Sequence, residues 1–163
     1  MEGNTWIDDD DENDHPVRHH AIHLATREGN IMTLEAILAR EPNVLELRDN
    51  CHCTPLHCAI RTDKPEVVQF FLEKGADPMS EGGSFSGNGG IVDGNNAITM
   101  AAVFGRLKSL GALLDSGIDV PVEALVKAAA LNRDDSIRLM LSNLIPTQKI
   151  SPFDLQWTAY DKP

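Results

Sequence analysis

The stretch Thr54 to Met79, TPLHCAIRTDKPEVVQFFLEKGADPM, constrains what this chain can fold into more than any other. Pro55 suits the first turn of a helix, where its missing N–H leaves no bond unmade. Thr54, just before it, can accept a backbone N–H and close that N-terminus. Leu56, Ala59 and Ile60 then lie at helical spacing and form one apolar stripe. Thr62-Asp63-Lys64-Pro65 breaks the helix, and a second follows with Val67, Val68, Phe70, Phe71 and Leu72. Gly75 supplies the left-handed residue that ends it. The expected unit is a short antiparallel helix pair, apolar on the faces that meet and unable to bury both sides alone.

TPLHCAI followed by EVVQFFLEKGADP resembles an ankyrin repeat, whose pattern runs TPLH-x-A-A, a Gly turn, a Leu/Val-rich helix and Gly-Ala-Asp. Many positions agree in one register, so the motif is specific. The resemblance implies an all-α solenoid of stacked helix pairs, and one such unit is not stable without neighbours. Four units fit across residues 15–145. In the first, His20-Ala21-Ile22-His23-Leu24-Ala25-Thr26 takes the motif's place, and Gly29 falls six residues after His23. His23 and His57 stand 34 residues apart. His52 occupies a position where the pattern has Gly. In the third unit, Asn96-Ala97-Ile98-Thr99-Met100-Ala101-Ala102 carries Thr99 in place of the motif histidine, with Gly105 again six residues on. The fourth is degenerate: Glu123 to Ala129 aligns with the motif and Asn132 falls at the Gly position, tolerable because Asn accepts the left-handed conformation. That register expects Ile137, Met140 and Leu141 on the core side.

Between the second and third units, residues 80–95 hold Gly82, Gly83, Gly87, Gly89, Gly90 and Gly94. So much glycine argues against helix or strand and for an extended, mobile insertion, and cutting it to a short turn is expected to leave the melting temperature unchanged or slightly raised. No Lys-Ser/Thr follows the glycines and no strand precedes them, so a phosphate loop is not expected. Residues 146–163 match no repeat, yet Phe153, Leu155, Trp157 and Tyr160 are too apolar for a linker. They read as a capping segment, or equally as the start of a further repeat.

The 163 residues are 42% hydrophobic and only 5% aromatic, so the core must come from Leu, Ile, Val and Ala. The net charge of −11 is uneven, with residues 2–14 carrying seven acids and no base. Residues 1–14 are therefore expected to form a disordered acidic tail. Nucleic acid and anionic membranes both need a basic face and are not expected partners. Three cysteines and no apolar leader suit a reducing compartment, the cytoplasm first with the nucleus open as well.

Cys51-His52-Cys53 with His57-Cys58 is one cluster of metal-ligand residue types, but the paired C-x-x-C knuckle of a zinc site is absent. Packed thiols at a repeat boundary are the expectation. His15, His19, His20 and His23 form a second group, read as surface histidines. No Ser-His-Asp, Cys-His or paired-carboxylate arrangement can be argued, and stacked helix pairs offer an open concave surface rather than a cleft. The chain is expected to be no enzyme and to need no metal or cofactor.

The resemblance implies protein–protein binding, on a concave groove and on the finger tips. In the family's pattern the two residues after Ala-Ala face the groove. Here these are Arg27/Glu28, Arg61/Thr62, Val103/Phe104 and Ala130/Leu131, joined at a finger tip by Asn50, Cys51 and Cys53. The groove is thus expected to be polar in its first half and apolar in its second. A monomeric adaptor, scaffold or inhibitor is the leading expectation. The alternative is the N-terminal regulatory segment of a larger enzyme or channel.

Overall fold

The computed structural model describes residues 21–82, 85–87, 90–92 and 95–144. Within them the helices run as four antiparallel pairs: α1 (Ala21–Glu28) with α2 (Ile31–Arg40), α3 (Pro55–Arg61) with α4 (Pro65–Glu73), α5 (Ala97–Val103) with α6 (Leu107–Asp115), and α7 (Val122–Ala130) with α8 (Asp134–Leu144). The first helices α1, α3, α5 and α7 pack on one another in sequence, and α4, α6 and α8 stack as a second row. This is an all-α solenoid. No helix among the described residues is long and apolar enough to cross a membrane.

The pairs form because each helix ends where its sequence forces it to. The links between helices pass through a left-handed residue at the same place in all four repeats: Gly29 (φ 78°), Asp63 (52°), Gly105 (64°) and Asn132 (54°). Asn132 thus fills the Gly position, as its alignment requires. His52 is also left-handed, at φ 58°, where the pattern has Gly. The stripes then meet: Leu56, Ala59 and Ile60 of α3 lie in one core with Val67, Val68 and Phe71 of α4 and with Leu110 and Leu113 of α6. Burying each Leu, Ile or Phe contributes about 1.5–3 kcal/mol against an exposed reference.

Three expectations need correction. Thr54 occupies the N-cap of α3 but makes no capping bond; its hydroxyl pairs instead with His57 Nδ1 at 2.7 Å. The His at the helix's third position competes for the same hydroxyl and wins. In α8, Met140 is buried and Ile137 half-buried as expected, but Leu141 is exposed. Nothing described stacks beyond the fourth pair to cover it.

The third correction is the glycine-rich insertion, which does contain strand. β1 (Phe85–Gly87) pairs antiparallel with β2 (Gly90–Val92), and Gly82 bridges Asn95 below them, its N–H donating to the Asn95 carbonyl at 2.8 Å. Glycine's entropic cost favours an open loop, but the base of the hairpin is clamped. Arg48 donates to Ser80 Oγ at 2.9 Å and to the Glu81 carbonyl, and Lys127 Nζ donates to Asn95 Oδ1 at 2.9 Å. Fixed ends shorten the loop that must be closed, which lowers its entropic cost. With the base clamped in this way, stability is expected to survive best the removal of residues between Gly82 and Asn95. The acidic tail, His15, His19, His20 and the segment 146–163 lie outside the described residues.

Candidate functional site

The groove residues sit at the C-terminal ends of the first-row helices. Arg27 and Glu28 are exposed at the end of α1. Arg61 and Thr62 are half-buried at the end of α3, and Thr62 Oγ1 returns to its own helix, donating to the carbonyls of Cys58 and Ala59. At the end of α7, Ala130 is exposed and Leu131 half-buried. Phe104 is half-buried, packed against the core on one side and lining an open notch on the other.

Val103 does not face the groove. Only 2% of it is exposed, because α5 is an inner helix with α3 on one side and α7 on the other, and all seven of its residues are buried. At the finger tip Asn50 is exposed and Cys51 half-buried, but Cys53 is fully buried at 0%. Its amide donates to Asp49 Oδ1 at 2.9 Å and its carbonyl faces His23 Nε2 at 3.0 Å. Cys53 therefore belongs to the joint between the first two repeats rather than to a contact surface.

That joint is built around Asp49. Its Oδ1 accepts from the amides of Cys51 and Cys53, both at 2.9 Å, and its Oδ2 lies 3.9 Å from Cys58 Sγ. His23, Asp49 and Cys58 bring ligand-type atoms within 4.8 Å of one another, all three buried. The set fits zinc poorly. It offers three ligands where four are needed, and Asp49 and His23 are already engaged. Burial also pushes the Cys58 thiol up to about 12, so it stays protonated. Of the residues grouped by sequence, Cys58 and His23 enter this cluster, and His23, expected at the surface with its neighbours, is instead fully buried because it ties the first repeat to the Cys53 carbonyl; Asp49 reads in sequence as an ordinary turn acid.

His57 makes the next joint. Burial lowers its pKa to about 4, only partly opposed by the Asn95 carbonyl, so the ring is neutral at physiological pH. It lies directly under the hairpin: a Cβ placed on Gly82 would stand 2.5 Å from His57 Cδ2. The insertion is thereby seated on the histidine that the repeat motif supplies.

The links between helices carry a second set of contacts that sequence reading missed. Lys64 Nζ donates to the Glu28 carbonyl at 3.3 Å, and Arg133 Nε to the Val103 carbonyl at 2.8 Å. Both place a cation at the carbonyl end of the preceding repeat's first helix, where the helix dipole favours it. Asp63 accepts from the Ser109 amide and hydroxyl, each at 3.0 Å. Between the third and fourth repeats lies the notch, about 460 Å³, lined among others by Phe104, Leu107, Asn132, Arg133, Ser136 and Arg138. A comparison of equivalent positions across repeats would have found these residues.

Comparisons agree with this geometry. A family model described as ankyrin repeats (3 copies) matches residues 5–82. NF-kappa-B inhibitor alpha of Homo sapiens is 30% identical over 121 residues, 72% of this chain and 35% of that protein. NAD-capped RNA hydrolase NUDT12 of Homo sapiens is 42% identical over 56 residues, 34% of this chain and 12% of the relative. Transient receptor potential cation channel subfamily A member 1 of Homo sapiens is 40% identical over 58 residues, 35% of this chain and 5% of the channel. The chain thus spans a third or less of the length of most of these relatives, and 35% of the inhibitor.

Proposed function

We propose that this chain, an ankyrin-repeat protein, is a non-catalytic binding module that grips a partner protein on its concave side. The observation that carries the reading is Phe104: a large ring at the mouth of the notch, half-exposed, on a solenoid whose described first half presents Arg27, Glu28 and Arg61 instead. Buried aromatic anchors ringed by polar contacts dominate most interfaces. Leu131 and Ala130 extend the apolar half, while Asn50 and Cys51 add a finger-tip contact. Val103 and Cys53 drop out, since both are packed inside the repeats and neither borders the notch. An inhibitor among the similar proteins supports a role that needs no catalysis. The module acts as a monomer in the cytoplasm or nucleus, without metal or cofactor.

The test is affinity. Phe104→Ala is expected to weaken partner binding by about 1–3 kcal/mol, and Arg61→Ala mainly to slow association, as rim charges do. Because Phe104 also touches the core, its variant loses some stability, so binding is measured well below its melting temperature. Unchanged affinity in the folded Phe104→Ala protein contradicts the reading.

A second reading has support of its own. Two of the relatives, an RNA hydrolase and a cation channel, match this chain over only 12% and 5% of their lengths. The same repeats would then regulate a larger protein. An antibody to residues 21–144 separates the two by the mass of the endogenous protein.

A further inference from the structure

We propose that the notch between α5 and α8 receives a carboxylate from the partner protein, an Asp or Glu side chain, on the amide and hydroxyl of Ser136; the assignment rests on the partner-binding reading above. It comes from laying successive repeats over one another. At the boundary of the second and third, the third residue of α6 is Ser109, fully buried, and it gives both its amide and its hydroxyl to Asp63 Oδ1. At the boundary of the third and fourth, the third residue of α8 is Ser136, 1% exposed. Both serines lie four residues beyond their own left-handed link, Gly105 and Asn132 respectively.

What differs is the facing position. Where Ser109 meets Asp63, Ser136 meets the equivalent Gly105, which has no side chain. A Cβ built on Gly105 finds nothing within 4 Å, although its φ of 64° is close to the 52° of Asp63. The Ser136 hydroxyl is buried without a hydrogen-bond partner, and its amide, among the first in the helix, has none among the described residues. Two buried donors converge on a place that a carboxylate fills one repeat earlier.

The walls narrow the choice of ligand. Arg133, pinned through Nε to the Val103 carbonyl, and Arg138 line the notch, but so do Asp134 and Asp135. Their formal charges cancel. A monoanion is therefore held by directed hydrogen bonds, whereas a dianionic phosphate gains no net attraction and meets two carboxylates. The Phe104 ring beside the donors suits the short apolar stem of an acidic side chain.

The full chain, labelled with nitrogen-15, is titrated with sodium acetate against sodium chloride and sodium phosphate at matched ionic strength. Acetate is expected to give a saturable shift centred on the Ser136 amide. In Gly105→Asp, which supplies its own carboxylate, that shift disappears and the melting temperature rises. Ser136→Val, a residue already tolerated at the equivalent Val67, also loses most of the response and guards against a variant that fails to fold. Partner affinity is expected to fall about tenfold in Gly105→Asp. No saturable shift in the wild type, an equal shift in Gly105→Asp, or an equal response to phosphate overturns the proposal. So does a Ser136 shift on removing residues 1–14, which would place the chain's own acidic leader in the notch. Because the acetate response is read on the free protein, it fails or succeeds independently of whether Phe104 anchors a partner.

Discussion

Gly82→Ala probes how the insertion is joined to the repeats. Gly82 needs no special backbone angle; what it needs is the absence of a side chain. A methyl carbon there would lie 2.5, 2.8 and 3.0 Å from Cδ2, Nε2 and Cγ of His57. The ring cannot step aside easily, because it is fully buried and tied to Thr54 at 2.7 Å. Forcing a methyl group into a filled site costs about 1–3 kcal/mol. Against this, Ala restricts the unfolded chain and returns about 0.4–1 kcal/mol. The net expectation is a loss centred near about 1.3 kcal/mol and reaching about 2.6 kcal/mol, which for a chain of this size lowers the melting temperature by up to about 10 °C. Gly111→Ala is the matched control. It lies inside α6, where an added Cβ meets nothing within 4 Å, and Ala is the better helix former by about 0.5–1 kcal/mol. Thermal unfolding of the two variants should move in opposite directions. Equal or higher stability of Gly82→Ala refutes the seating of the hairpin on His57.

Other consequences follow from the same geometry. Because the folded pKa of His57, about 4, lies below the unfolded 6.5, its contribution is complete above pH 6.5 and is lost as the pH falls toward 4, by about 3 kcal/mol at most. Urea unfolding between pH 7.5 and 4.5 should therefore lose less stability in His57→Asn than in the wild type; parallel slopes contradict this. Asp63→Gly keeps the left-handed link but removes both bonds to Ser109, and should cost about 1–3 kcal/mol by urea unfolding, whereas Asp63→Asn should keep most of the stability. Alkylation under native conditions should label Cys51 first and leave Cys58, buried and with its pKa pushed up to about 12, unmodified until the protein unfolds. Rapid native labelling of Cys58 would count against the joint described around Asp49.

Much of the solenoid could be read from spacing, because left-handed residues and apolar stripes are local signals. Asn132 is the clearest instance: its place in the register predicted its backbone angle. Burial was harder to read, since it depends on what lies on either side. The family pattern points the residues after Ala-Ala at the groove, yet Val103 ends a helix enclosed by two others, and Cys53 is drawn inward by Asp49 and His23. Leu141 errs in the opposite sense: it is apolar and in the right register, but α8 belongs to the last described helix pair and no further described helix covers that face. The hairpin was missed because glycine content speaks of entropy, not of the clamps from Arg48 and Lys127 that come from distant repeats. Ser136 carries no signal by itself, and Gly105 alone reads only as the turn glycine of its repeat. Their meaning appears only once Asp63 is seen to face Ser109.

Whether a partner rests on the apolar half of the concave side is decided most directly by site-specific photocrosslinking. The crosslinking amino acid p-benzoylphenylalanine replaces either Phe104, at the notch, or Met32, which is 82% exposed on α2, outside the row of first helices. Both chains are expressed in the cell, irradiated, and the adducts identified by mass spectrometry. One protein, the same in every replicate, is expected to be captured from position 104 and not from position 32. Capture of that protein from position 32, with position 104 silent, would contradict binding on the concave side.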